Sequence, residues 1–143
     1  MLFRSLDAMK ARFDGVLVDA PCSGSGTWRR KPDAKWRLKP DVLAARIKDQ
    51  QSVLAMAARL VKPGGRLVYV TCSLFAEENS DQIAHFLRTN GHFSIRPWRK
   101  VWAETVRTPA PKASADGRDD SLLLSPAMHG TDGFFVATLT RAA

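Results

Sequence analysis

Cysteine is scarce in this 143-residue chain, which carries only Cys22 and Cys72. A disulfide scaffold needs more of them in a shorter, secreted chain. Two thiols are also too few for a zinc site, and His85, His92 and His129 are not spaced as ligands, so no structural metal is expected. There is no Cys-x-x-Cys, which ranks a thiol-redox protein behind other readings. No apolar run approaches the ~20 residues that cross a bilayer. The opening Met1-Leu2-Phe3-Arg4 begins no apolar stretch of signal-peptide length. No membrane partner is expected, and the cytoplasm is the default location. Internal repeats and linkers are missing too, so residues 1–143 read as a single domain.

Acidic residues are outnumbered. Lys and Arg total 22 against 14 Asp and Glu, a formal charge of +8. That excess suits a polyanionic partner, nucleic acid above all, although general solubility explains it equally well. Hydrophobic residues make up 45% of the chain, normal for a folded domain.

What is present centres on Phe13-Asp14-Gly15-Val16-Leu17-Val18-Asp19-Ala20-Pro21-Cys22-Ser23-Gly24-Ser25-Gly26. The run Val16 to Val18 reads as a short buried strand, about Gly15 to Asp19, and it ends in an acid. Pro21 holds Ala20 extended. Gly24 and Gly26 permit a sharp turn or a close backbone approach. An acid and a thiol therefore stand at the carboxyl end of a strand, where open α/β sheets place ligands.

Met1 to Arg12 reads as an amphipathic helical lead-in with Leu2, Leu6 and Met9 on one face. Trp28 to Lys39 is expected to be a basic loop, carrying Arg29, Arg30, Lys31, Lys35 and Arg37 beside Trp28 and Trp36. Cations neutralise phosphates and indoles stack on bases, so a polyanion contact is favoured over a solvated loop. Asp41 to Val61 has a helical stripe of Leu43, Ile47, Leu54, Ala58 and Val61, with Pro63-Gly64-Gly65 as its stop. Arg66 to Thr71 reads as a second strand, parallel to the first through a crossover helix. It leads to Thr71-Cys72-Ser73, so the second thiol is expected at the same sheet edge as the first.

Glu77-Glu78-Asn79 places two acids in the first turn of a helix that reaches about Thr89, with Ile83, Phe86 and Leu87 buried. Phe93 to Pro97 reads as a third strand. Arg99 to Asp120 is poorly patterned and reads as an exposed loop. Leu122–Leu124 and Phe134 to Thr140 read as a terminal hairpin.

Two thiols and a carboxylate suit carbon methylation of a pyrimidine. A thiolate adding at cytosine C6 makes C5 nucleophilic, an acid at the N3 edge stabilises the adduct, and a base then removes the C5 proton. Two small buried hydrophobic cysteines remain the plainer alternative.

At Asp19-Ala20-Pro21-Cys22-Ser23-Gly24-Ser25-Gly26-Thr27 and Val70-Thr71-Cys72-Ser73 the sequence resembles the Sun/Nop family of RNA cytosine-5 methyltransferases. The bacterial branch acting on small-subunit ribosomal RNA is the nearest likeness. Further blocks follow in the family's order: Arg30 to Arg37, Lys62-Pro63-Gly64-Gly65, Glu77-Glu78-Asn79 and His129-Gly130-Thr131-Asp132-Gly133-Phe134-Phe135. The resemblance implies the C-terminal half of a Rossmann-like S-adenosylmethionine-dependent methyltransferase fold, mostly parallel, with an antiparallel hairpin at its end. It implies that Cys72 is the nucleophile, that Cys22 assists product release, and that Asp19 touches both the cofactor's methyl group and the base. It also implies that Pro21 frames the pocket, and that Arg29, Arg30, Lys31, Lys35, Trp36 and Arg37 lie near the RNA with the last turn, His129 to Gly133.

The family's glycine-rich cofactor cradle is not found ahead of strand one. The chain is therefore expected to be an incomplete catalytic domain, with weak or no S-adenosylmethionine binding by itself. Strand one is expected to be an exposed edge, paired with another copy of the chain or covered by Met1 to Arg12. A non-catalytic RNA-binding or assembly module derived from the same fold is the competing reading.

Overall fold

The computed structural model describes Leu6 and residues 9–143, so the amphipathic lead-in expected over Met1 to Arg12 falls largely outside the described residues. Strand β1 (Phe13–Asp19) pairs in parallel with β2 (Val61–Thr71), from Gly15 opposite Arg66 to Asp19 opposite Val70. Between them in sequence lie helices α1 (Pro32–Arg37) and α2 (Pro40–Leu60). After β2 come α3 (Ser80–Thr89), β3 (Phe93–Arg96), α4 (Trp98–Thr105), β4 (Leu122–Leu124), α5 (Pro126–His129) and β5 (Phe134–Arg141).

The sheet order is β1-β2-β5-β3, with β4 also on β5. Strand β5 runs antiparallel to β2, β3 and β4 alike. It follows that β1 to β4 all point one way and β5 alone is reversed. The expected hairpin thus holds a particular place: its second arm wedges between two strands of common direction. Among the described residues β1 bonds to β2 only, and its Leu17 is 68% exposed.

One face of the sheet carries the core. Alternate residues Leu67, Tyr69 and Thr71 of β2, and Phe135, Ala137 and Leu139 of β5, are buried there, as the two-residue period of a strand requires. Leu54, Ala57 and Ala58 of α2 and Ile83 and Phe86 of α3 join the same buried set. Leu43 and Ile47 of the expected stripe are only half-buried, while Gln50 is buried completely.

Three local expectations are corrected. The basic segment is not all loop: Pro32 starts α1, where a missing N–H costs nothing and its fixed φ suits a helix. Pro63-Gly64-Gly65 does not stop α2, which ends at Leu60. Strand β2 already starts at Val61, and the Pro-Gly-Gly stretch bulges between the Phe13–Val61 and Gly15–Arg66 pairs. The stretch expected to be an irregular loop from Arg99 opens inside α4, because Trp98, Val101 and Trp102 recur at helical spacing. Both indoles of that helix donate to backbone carbonyls, Trp98 to Arg118 at 3.2 Å and Trp102 to Thr108 at 2.8 Å.

Candidate active site

The ladder between β1 and β2 carries both cysteines to one rim. The last parallel bond runs from the Ala20 N–H to the Val70 carbonyl, 2.9 Å, and both chains then leave the sheet. Gly24, at φ 69°, turns the first loop back, a conformation open to residues without Cβ strain. The Gly26 N–H then donates to the Cys72 carbonyl at 2.9 Å, tying the two loops together. The result places Cys22 Sγ 3.4 Å from Cys72 Sγ, although the residues are 50 apart in sequence.

That contact divides one proton unequally. The hydrogen bond with Cys22 pulls the Cys72 thiol down to about 7, against burial and the nearby charges of Asp19 and Glu78, so that with Cys72 ionised the Cys22 S–H is the donor. The same hydrogen bond, reinforced by burial, pushes the Cys22 thiol far up. One sulfur is therefore poised as a thiolate near neutrality and the other holds its proton. The lowering comes from the partner thiol and the Cys72 backbone N–H; the turn that follows Cys72 is a short 3-10 segment, Ala76–Glu78, and α3 starts later.

Asp19 ends β1 at the same rim and is exposed. Pro21 is half-buried, and its carbonyl accepts from Gln50 Nε2 at 2.9 Å. A cleft of about 330 Å³ opens beside Cys22 and is lined by Lys31, Arg37 and Arg46, with Leu38 and Val42. Arg46, on α2, was not singled out from the sequence; a lone arginine on a helix gives no signal there.

The other basic residues are placed differently. Arg30 pairs with Asp132 through both Nε, at 2.6 Å, and Nη2, at 2.5 Å, and Arg29 reaches the same carboxylate at 3.5 Å. Asp132 raises the Arg30 guanidinium further above its ordinary range, and the Cys72 charge adds to the effect. Lys35 lies over the faces of Trp28 and Trp36, 5.9 and 5.5 Å from the ring centres. Trp28 meets Phe75 edge-on, whereas Trp36 is 80% exposed. Arg37 also pairs with Asp33, one helical turn away.

The last turn reaches this corner through two glycines. Gly133 N–H donates to the Gly26 carbonyl at 2.8 Å, and a Cβ on Gly26 would stand 2.2 Å from the Gly133 carbonyl oxygen. Only two glycines allow that crossing, which sets Asp132 opposite the arginines.

Glu78 corrects a further expectation. It does not decorate a helix N-terminus but is wholly buried behind the thiols. Among the described residues no helix is long and apolar enough to span a membrane, and no group of three or more potential metal ligands occurs.

A sequence-family model described as 16S rRNA methyltransferase RsmB/F matches residues 3–140. The chain belongs to this RsmB/F family. It is 40% identical over 145 residues to a probable ribosomal RNA small subunit methyltransferase B of Bacillus subtilis, covering 96% of this chain and 31% of that protein. The corresponding enzyme of Shewanella oneidensis is 35% identical over 131 residues, covering 92% and 28%. Among solved structures, NSun6 from Pyrococcus horikoshii with SFG superposes at a TM-score of 0.76, 25% identical, over all of this chain and 34% of that one. The structure of PH0851 gives 0.78 at 38% identity, over 91% and 27%. This RsmB/F chain thus spans between about a quarter and a third of the length of the curated relatives it matches. The superpositions show a Rossmann-like methyltransferase fold with a partly parallel sheet.

Proposed function

We propose that this chain supplies the thiol chemistry of S-adenosylmethionine-dependent methylation of cytosine C5 in RNA, through a covalent bond between Cys72 and C6. The observation that carries the reading is the 3.4 Å contact between the two sulfurs at the rim where Asp19 ends β1; that contact lowers the Cys72 thiol and raises that of Cys22. Family membership supports an RNA substrate, ribosomal RNA first, met in the cytoplasm.

The cofactor fits this corner only at its rim. Asp19 presents an exposed carboxylate suited to a positively charged ligand, Pro21 is half-buried two residues on, and among the described residues β1 bonds to β2 alone. When bound, S-adenosylmethionine supplies an electrophilic methyl group. By themselves Asp19 and Pro21 give weak affinity, and a segment that pairs with the outer edge of β1 supplies the remaining contacts. A second copy of the chain on that edge is the alternative occupant.

The chain's own residues divide the remaining work. The Cys72 thiolate forms the C–S bond at C6 and the ring's electron pair moves towards C5, while Asp19 lies at the N3 edge. After C5 is substituted, its proton leaves to a base, C5=C6 re-forms, and the C–S bond breaks with its pair returning to Cys72. Cys22, with its proton in hand beside the departing sulfur, assists that release. Lys31, Arg37 and Arg46 line the cleft on the Cys22 side, where phosphates can be neutralised, and Trp36 offers an open face for a base.

The test uses a chimera that joins the amino-terminal portion of the Bacillus subtilis relative to this chain. With ribosomal RNA and cofactor, C22A accumulates an RNA–protein adduct on a denaturing gel and C72A forms none. Equal trapping by both variants refutes the division of roles. No adduct and no methylation with any variant, together with retained RNA binding, favours the non-catalytic RNA-binding module instead.

A further inference from the structure

Each cysteine is followed by a serine, and both serines point at the same carboxylate. Ser23 Oγ donates to Glu78 Oε2 at 2.5 Å, and Ser73 Oγ donates to that same oxygen at 2.5 Å. The other oxygen, Oε1, accepts from the Ser23 N–H at 2.8 Å and from Gln50 Nε2 at 3.1 Å. Four donors fill the acceptor capacity of a carboxylate, and all four are neutral groups. Glu78 is held further by its own backbone carbonyl, which accepts from the Tyr69 hydroxyl at 2.7 Å. The next residue, Asn79, donates to the Ser73 carbonyl at 2.8 Å and accepts from Thr71 Oγ1 at 2.5 Å.

The proton directions are fixed by this arrangement. Ser73 gives its proton to Glu78, so in its 3.0 Å contact with Ser25 it accepts. Ser25 in turn accepts from the Leu74 N–H at 2.8 Å. The chain of donors runs from the second loop through Ser25 of the first, back to Ser73 and into Glu78. Burying a carboxylate without a counter-charge is costly unless every lone pair is met. Here three of the four donors come from the two cysteine loops and the fourth, Gln50, from α2, so moving either loop leaves the buried charge short of a partner.

We propose that Glu78 is a positioning residue that fixes the separation of Cys22 and Cys72, by anchoring the serine that follows each. The carboxylate oxygen shared between the two loops then sets the thiol separation together with the Gly26–Cys72 and Ser25–Leu74 bonds, and the sheet alone does not. The inference deepens the methyltransferase reading, but its test concerns the thiols and needs neither RNA nor cofactor.

The experiment compares the native chain with S23A, S73A and E78A. Each is exposed to oxidised glutathione in a series of ratios to glutathione. The Cys72 thiolate attacks the glutathione disulfide and releases one glutathione thiolate; the Cys22 thiol then attacks the mixed disulfide, loses its proton and releases the second glutathione. The equilibrium measures how well the two sulfurs are held together. Loss of an anchor lowers the effective concentration of Cys22 at Cys72 by roughly tenfold or more, as displacements of about 1 Å do for reacting groups.

The serine variants keep the Glu78 charge and carry the test if E78A fails to fold, with far-ultraviolet circular dichroism as the check. In them the midpoint pH for Cys72 alkylation rises as the Cys22 hydrogen bond weakens, a change that mere loss of stability does not produce. Folded S23A and S73A with native disulfide equilibria and native alkylation midpoints overturn the proposal. Failure of methylation in the chimera, with these thiol effects intact, refutes the methyltransferase reading and leaves this one standing.

Discussion

Replacing Cys22 by alanine removes the largest influence that lowers the Cys72 thiol, the S–H donated across 3.4 Å. What remains is mostly opposed to a thiolate: burial and the charges of Asp19 and Glu78 all raise it, and only the Cys72 backbone N–H still lowers it. The Cys72 value is therefore expected to climb from about 7 to at least the reference 9.0 of a free thiol. At pH 7 the thiolate fraction falls from about one half to about one in a hundred. Alkylation by iodoacetamide, followed by peptide mass mapping across pH 5.5 to 10, reads this directly, since the rate follows the thiolate. A rise of roughly fifty-fold in the time needed to label Cys72 at pH 7 is expected in C22A. A midpoint that stays near 7 in C22A refutes the claim that Cys22 activates Cys72. That loss is separate from the trapping expected of the same variant on RNA: adduct formation slows, yet adducts that do form persist.

Two further substitutions probe the corner around the thiols. G26A drives a Cβ into the Gly133 carbonyl, 2.2 Å away and backbone, so it cannot yield by a rotamer change; urea unfolding should show a loss of about 1–3 kcal/mol. W36A removes an indole that is 80% exposed; single-stranded RNA binding weakens by about 1–3 kcal/mol if a base stacks there, with an unchanged unfolding midpoint, whereas unchanged affinity removes Trp36 from the RNA interface.

Much of the corner was legible in the sequence because punctuation marks it. Val16 to Val18 and Leu67 to Val70 are short apolar runs closed by Asp19-Ala20-Pro21 and Thr71-Cys72-Ser73, and parallel pairing puts such ends on one rim. Glu78 was not legible, since Glu77-Glu78 before a helix looks like ordinary first-turn acid; only the tertiary fold shows that one of the two is buried and the other exposed. Helix α4 was hidden because its signal rests on Trp98, Val101 and Trp102 within a charged stretch that runs on into prolines. The placement of β5 between β2 and β3 is a topological fact that no local pattern carries. The ion pairs of Arg29 and Arg30 with Asp132 were equally invisible, because they depend on two glycines meeting across the molecule.

The two sulfurs form an unequal pair, with Cys72 ionised near neutrality and Cys22 holding the proton. Limited labelling of the unaltered chain with iodoacetamide at pH 7, resolved by peptide mapping, tests it most directly. Cys72 should be labelled well ahead of Cys22; labelling of Cys22 first, or of both at one rate, contradicts it.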